Sequence, residues 1–217
     1  MPGKWTSRII LGSLAVVAIA VLGFSLRSRA PAPRPSPLSG EGESSGRGVA
    51  SVEAGPPVLW PVQDFTLTDT SGKTITRKDL LGKVWVADFI FTSCAGTCPT
   101  MTKAMKQLEQ DLADVPDLKL VSISVDPGRD TPEVLAGYAE FYHADPQRWL
   151  FLTGEEGEIR KLIGDSFKLV KNEDLLFHSP RFSIVDRQGR VRGGYDGTEA
   201  ESLPKLEHDV RLIAKER

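Results

Sequence analysis

The sequence predicts an α/β domain, a central mixed sheet flanked by helices, and three observations carry that expectation. Strand-like and helix-like patterns alternate from residue 64 to the C-terminus, which is the signature of a layered α/β fold. The run 84–91 (Val-Trp-Val-Ala-Asp-Phe-Ile-Phe) is almost continuously apolar, as a strand buried on both faces must be. Near the end, apolar runs at 182–186 and 191–195 bracket the turn residues Gln188-Gly189 and precede a helical pattern, which reads as a hairpin followed by a packed helix.

Taken in order, residues 64–70 alternate apolar and polar positions and run into Ser71-Gly72, a hairpin signal. The 84–91 strand follows. Residues 99–112 place Met101, Ala104, Met105, Leu108 and Leu112 at helical spacing, and 118–125 reads as a second buried strand. Thr131-Pro132-Glu133 opens a helix, with Thr131 or Asp130 as its cap and Pro132 in the first turn, where a missing N–H costs nothing. A strand at 149–152, a helix at 155–167, the terminal hairpin and a helix from 200 to about 214 complete the chain. A terminal hairpin followed by a helix narrows the class to the thioredoxin-like plan. No internal repeat is visible.

Ahead of this domain, residues 9–26 form eighteen positions without a charge. As a helix they reach about 27 Å, against a hydrocarbon core of roughly 30 Å. We expect a transmembrane anchor here, after a short tail at 1–8. A cleaved signal peptide has a shorter apolar region, about 7–15 residues. Ala30-Pro31-Ala32 mimics a cleavage motif, but Pro33 in the next position should block processing, and no cysteine lies nearby for lipidation. Lys4 and Arg8 on one side and Arg27, Arg29 and Arg34 on the other leave the positive-inside rule nearly tied. The short tail and long C-terminal part favour a single-pass protein with its domain outside. Residues 27–57 turn rich in Pro, Ser and Gly from Ala30 and carry no apolar period, so they read as a flexible linker to a thioredoxin-like domain at 58–217. The expected location is the cell inner membrane with the domain facing the periplasm, an oxidising compartment. The compositionally plain N-terminus favours a bacterial membrane over a mitochondrial one.

Charge excludes one class of partner. The 217 residues carry a net charge of −2, and the part after Pro57, with 21 bases and 26 acids, is −5. A mildly acidic domain offers no footprint for nucleic acid.

Chemistry concentrates at Cys94 and Cys98, the chain's two cysteines. They are too few for a disulfide framework or a four-thiolate zinc site. The sequence Thr92-Ser93-Cys94-Ala95-Gly96-Thr97-Cys98-Pro99 runs from a buried strand through a small-residue loop into a helix. Residues i and i+4 share a helix face, and a helix N-terminus favours thiolate. The pair therefore closes a reversible disulfide, with Cys94 attacking and Cys98 resolving, or holds a soft cation such as Cu(I). A purely structural bridge over so short a loop would add little stability. Of three histidines, His178, directly before the 182–186 strand, is the best third ligand. His143 falls at a helix end beside Asp145-Pro146, a C-cap position, and His208 lies off the apolar stripe of its helix. Met101 and Met105 share the cysteines' face, but their stripe continues through Leu108 and Leu112 and reads as core.

The block 92–99, a second block Ser124-Val125-Asp126-Pro127-Gly128-Arg129-Asp130-Thr131-Pro132, and the later His178-Ser179 together resemble the Sco/SenC family over about residues 64–214. The resemblance implies a thioredoxin-like fold and a copper site built from Cys94, Cys98 and His178. It also implies a copper metallochaperone that assembles the binuclear copper site of cytochrome c oxidase, or that reduces that site's cysteines. Its partners would be the oxidase's copper-site subunit or its assembly factors. Asp126 lies in the matched block, where a functional and a turn-forming role are equally open.

The chain also departs from the family. Ala95-Gly96-Thr97 supplies no acid between the cysteines. Asp88, six residues before Cys94, resembles in position the buried, proton-handling aspartate of thioredoxins, and reads equally as a paired strand-end acid. Pro180 resembles their cis-proline. These features sustain a second expectation, a membrane-tethered thiol–disulfide oxidoreductase, so whether the chain is an enzyme stays open. A copper or redox sensor is a third.

Overall fold

Strand β4 (Val84–Ile90) is the spine of the fold in a computed structural model that describes residues 54–169 and 180–216. Val84, Val86 and Ile90 enter the core on one face of the sheet, Trp85 and Ala87 on the other. This two-sided burial explains the unbroken apolar run. Strands β5 (Leu118–Ser124) and β6 (Trp149–Thr153) continue the sheet in parallel on one side. On the other side β7 (Arg181–Val185) and β8 (Arg190–Asp196) run antiparallel, and β1 (Trp60–Pro61) pairs with β8. The hairpin of β2 (Thr66–Asp69) and β3 (Thr74–Thr76) joins at β6. The resulting order is β1-β8-β7-β4-β5-β6-β2-β3.

Helices cover both faces. Helices α2 (Cys98–Asp111), α3 (Pro132–Phe141) and α5 (Ser202–Lys215) contribute Met105, Leu108, Leu135, Leu206 and Val210 to the layer holding Val86, Leu120 and Ile184. On the opposite face, Leu80 of α1 (Arg77–Leu80) and Ile159 of α4 (Glu156–Lys161) pack with Trp85, Val121 and Leu152. A mixed sheet with helices on both faces, ending in a hairpin and a helix, is the thioredoxin-like arrangement that the sequence predicts. Met101 and Met105 are core residues, as their stripe implies.

Where the structure differs from the sequence reading, the reasons are local. β1 and α1 went unread because two residues and one turn are too short to show a period. A capping box between Thr76 and Asp79 closes α1, the Thr76 N–H donating to Asp79 Oδ2 at 2.8 Å. The helix expected over 155–167 widens at Leu162 into a π-helical segment, Leu162–Phe167, ending at Lys168 with a left-handed φ of 55°. This segment seats the Phe167 ring edge-on against Trp85 and Phe89. Thr131 alone caps α3, accepting from Val134 N–H at 3.4 Å, which leaves Asp130 to a different task. The expected anchor at 9–26 and the linker lie outside the described residues. Among those described, no helix is long and apolar enough to cross a membrane.

Gly197, just past β8, shows how tightly the α2 face is closed. Its N–H donates to Pro180 O at 2.6 Å, and a Cβ there would meet the Met101 sulfur and lie 2.6 Å from Phe182 Cε2. Gly197→Ala is therefore expected to cost about 1–3 kcal/mol by overpacking. Gly194→Ala is the control, since its Cβ would meet nothing nearer than Phe182 O at 4.0 Å. Thermal unfolding that leaves the two variants equal would refute this account.

Candidate metal and redox site

The site is built where β4 hands over to α2. After Ile90 the chain turns, with Cys94 N–H donating to Phe91 O at 3.2 Å, and α2 begins at Cys98 with Pro99 in its first turn. Both cysteines are free thiols. Cys94 is half-buried and Cys98 is 6% exposed. Four residues apart across this turn, the two thiols influence one another, Cys98 acting as donor to Cys94.

The two thiols are not equivalent. Burial pushes Cys94 up, but the Cys98 thiol and the N–H groups of Cys98, Gly96 and Thr97 converge on its sulfur and bring it below the usual thiol value. Small residues let the loop curl so that its amides form this anion-binding nest. Cys98 is pushed up to about 12, first by burial and then by the hydrogen bond it gives Cys94, with the charges of Cys94 and Asp88 adding to it. The pair is a low-pKa sulfur at the mouth over a high-pKa sulfur beneath.

Asp88 lies under α2, on the face opposite Trp85 and Ala87. Parallel register sets it against Ser122, whose Oγ donates to Oδ1 at 2.6 Å; Trp149 Nε1 donates in turn to Ser122 Oγ at 2.9 Å. Asp88 Oδ2 is buried without a hydrogen-bond partner among the described residues. Burial raises this carboxyl to about 7 against the pull of the Ser122 bond. The strand-end reading is thereby corrected: Asp88 is interior to β4 and fully buried, with a neutral hydroxyl for its partner.

Two further contacts frame the pair. Thr102 Oγ1 donates to Cys98 O at 2.9 Å and shares a hydrogen bond of 2.8 Å with Tyr138 Oη. Thr92 donates to Asp130 from both its amide and its hydroxyl. The sequence reading weighed Asp130 only as a helix cap. The available signal was its place in one short block with Ser124, which also donates to it. Asp126 stands at the turn after β5, its carbonyl accepting from the N–H groups of Arg129 and Asp130 at 3.0 and 2.9 Å and its carboxyl 3.7 Å from the Arg129 guanidinium.

His178 and the residues on either side of it lie outside the described residues. Tyr142 rather than His143 is the C-cap of α3. His143 follows with a left-handed φ of 52°, its carbonyl accepting from Lys106, and His208 is exposed on α5. Among the described residues, no group of three or more His, Cys, Asp or Glu side chains could hold a metal ion. What these residues supply is two converging sulfurs, a donor set suited to a soft, low-coordinate cation.

Comparison with known proteins gives a consistent answer. The family model described as SCO1/SenC matches residues 61–213. A SCO1 protein homolog of Bacillus subtilis (strain 168) is 36% identical over 161 residues, spanning 71% of this chain and 83% of that protein. The structure of BsSco, a Sco-family cytochrome c oxidase assembly protein with an identified disulfide switch, superposes with a TM-score of 0.68 at 34% identity, over 76% of this chain and all of that one. Copper-bound ScoI of Bradyrhizobium japonicum superposes at 0.57 with 28% identity, over 70% of this chain and 99% of its own.

Proposed function

The chain belongs to the SCO1/SenC family, and on that premise we propose that it is a copper metallochaperone that helps assemble the binuclear copper site of cytochrome c oxidase. The observation that carries this reading is a pair of free thiols four residues apart where β4 hands over to α2, Cys94 half-buried in the loop and Cys98 at the first turn of the helix. Two thiolates favour Cu(I), and His178 is the third ligand in this reading. The amides of residues 96–98 then stabilise charge on Cys94 whether copper is bound or not. The segment 9–26 anchors the chain, 27–57 tethers it, and the domain at 58–217 meets the oxidase's copper-site subunit or its assembly factors on the periplasmic side.

The test is an anaerobic Cu(I) titration of the reduced full-length chain in detergent against a competing chelator. One tight equivalent is expected, much weakened in His178→Ala. Weak uptake indifferent to His178 would remove the reading.

Asp88 favours a second reading, reduction of partner disulfides. The Cys94 thiolate attacks a partner disulfide, forming a mixed disulfide and releasing one partner thiolate. Cys98 then gives up its proton and attacks Cys94, closing the Cys94–Cys98 bond and releasing the second partner thiolate. Asp88 is the buried carboxylate whose charge reaches Cys98. In this reading, Asp88→Asn slows reduction of a model disulfide while His178→Ala leaves it intact.

A further inference from the structure

We propose that Asp130 is a positioning residue for the cysteine pair, holding through Thr92 the loop that carries Cys94. The inference rests on the proposed site at Cys94 and Cys98. Among the described residues, the side-chain hydrogen bonds joining residues 92–97 to another part of the fold end on this one carboxylate. Thr92 N–H reaches Asp130 Oδ2 at 3.1 Å and Thr92 Oγ1 donates to Oδ1 at 2.5 Å. Ser124 Oγ, at the end of β5, donates to Oδ2 at 2.6 Å and itself accepts from Asp126 N–H at 3.1 Å. The carboxylate thus joins the cysteine loop, β5 and the turn leading into α3.

Chemistry explains why the residue is an acid. Asp130 is fully buried, and all three donors to it are neutral. Burying a carboxylate without a cation is costly unless its hydrogen bonds recover the loss. A helix cap could have been a serine at the surface. A carboxyl group, by contrast, presents two acceptor oxygens on one side chain, and two of the three bonds here hold the residue two positions before Cys94. That loop sets where Cys94 stands relative to Cys98 at the start of α2. Removing the grip therefore loosens the placement of the two sulfurs, whether they close a disulfide or hold a metal. Outer partners that orient ligands in this way are typically worth about 10–100-fold in metal affinity.

The experiment uses the reduced full-length chain and four variants. Asp130→Ala removes the grip. Thr92→Val removes one donor while keeping side-chain shape and amide, Thr92→Ser restores the hydroxyl, and Leu135→Ala perturbs a fully buried residue of α3 as a stability control. The Cys94–Cys98 reduction potential is measured in thiol buffers, Cu(I) affinity by chelator competition, and the unfolding midpoint in parallel. Asp130→Ala is expected to lose about 10–100-fold in Cu(I) affinity, and Thr92→Val about tenfold. Both potentials should move away from the wild-type value, because the loop no longer holds one sulfur in place for the other. Thr92→Ser should return to wild type, and Leu135→Ala should lower the midpoint without moving the potential. Wild-type potentials in both Asp130→Ala and Thr92→Val would overturn the proposal, as would an equal shift in Leu135→Ala. Should the wild-type chain itself take up no copper, the metal reading fails while the potentials still decide the role of Asp130.

Discussion

Cys94→Ala and Cys98→Ala are each expected to abolish the tight copper equivalent, and the two thiols of the parent chain should differ widely in reactivity. Either substitution leaves a single sulfur donor at this loop, and one thiolate cannot replace two. The difference in reactivity follows from the surroundings. The Cys94 sulfur is half-exposed and collects three amides and a thiol. With its thiol at about 12, Cys98 is ionised to about one part in ten thousand at pH 8. Iodoacetamide at pH 8 should therefore label Cys94 first by a wide margin, as peptide mass mapping of the time course would show. Equal labelling rates would mean that the amide nest and the burial of Cys98 do not govern the pair, and the division into attacking and resolving sulfur would fall with them.

Asp88→Asn is expected to flatten the pH dependence of stability. The folded carboxyl sits at about 7 against a reference value of 3.8. Between those values the folded chain binds more protons than the unfolded chain, so stability falls as pH rises through that window. The penalty is absent below about 4 and fully present above about 7. Its size is about 4 kcal/mol at most, from roughly three pKa units at 1.36 kcal/mol each. The asparagine variant titrates nothing at this position, although its amide nitrogen inherits the unpartnered place of Oδ2, a cost of about 1–3 kcal/mol at every pH. Relative to the parent, it should gain by a few kcal/mol on going from pH 5 to pH 8, read by denaturant unfolding of the reduced chain. Parallel pH profiles for the two chains would show that Asp88 is ionised without penalty, and the proton-handling reading would lose its support.

Much of the architecture was legible in the sequence because it rests on facts internal to single elements. The unbroken apolar run of β4 announces burial on both faces, and Pro132 behind Thr131 announces the start of α3; the shared helix face expected for Cys94 and Cys98 does not form, because α2 begins only at Cys98. The anchor at 9–26 and the ligand role of His178 are likewise sequence readings, and both fall outside the described residues. What only the tertiary structure decided depends on relations between elements. Register across β4 and β5 sets Asp88 against Ser122 and leaves its second oxygen without a partner. The return of the chain after β5 brings Asp130 to Thr92, 38 residues earlier. Burial beneath the loop separates two cysteines that look alike in sequence. Periodicity and spacing report which face a residue occupies; the charge state of an aspartate or a thiol depends on what lies across that face, and packing alone brings those groups together.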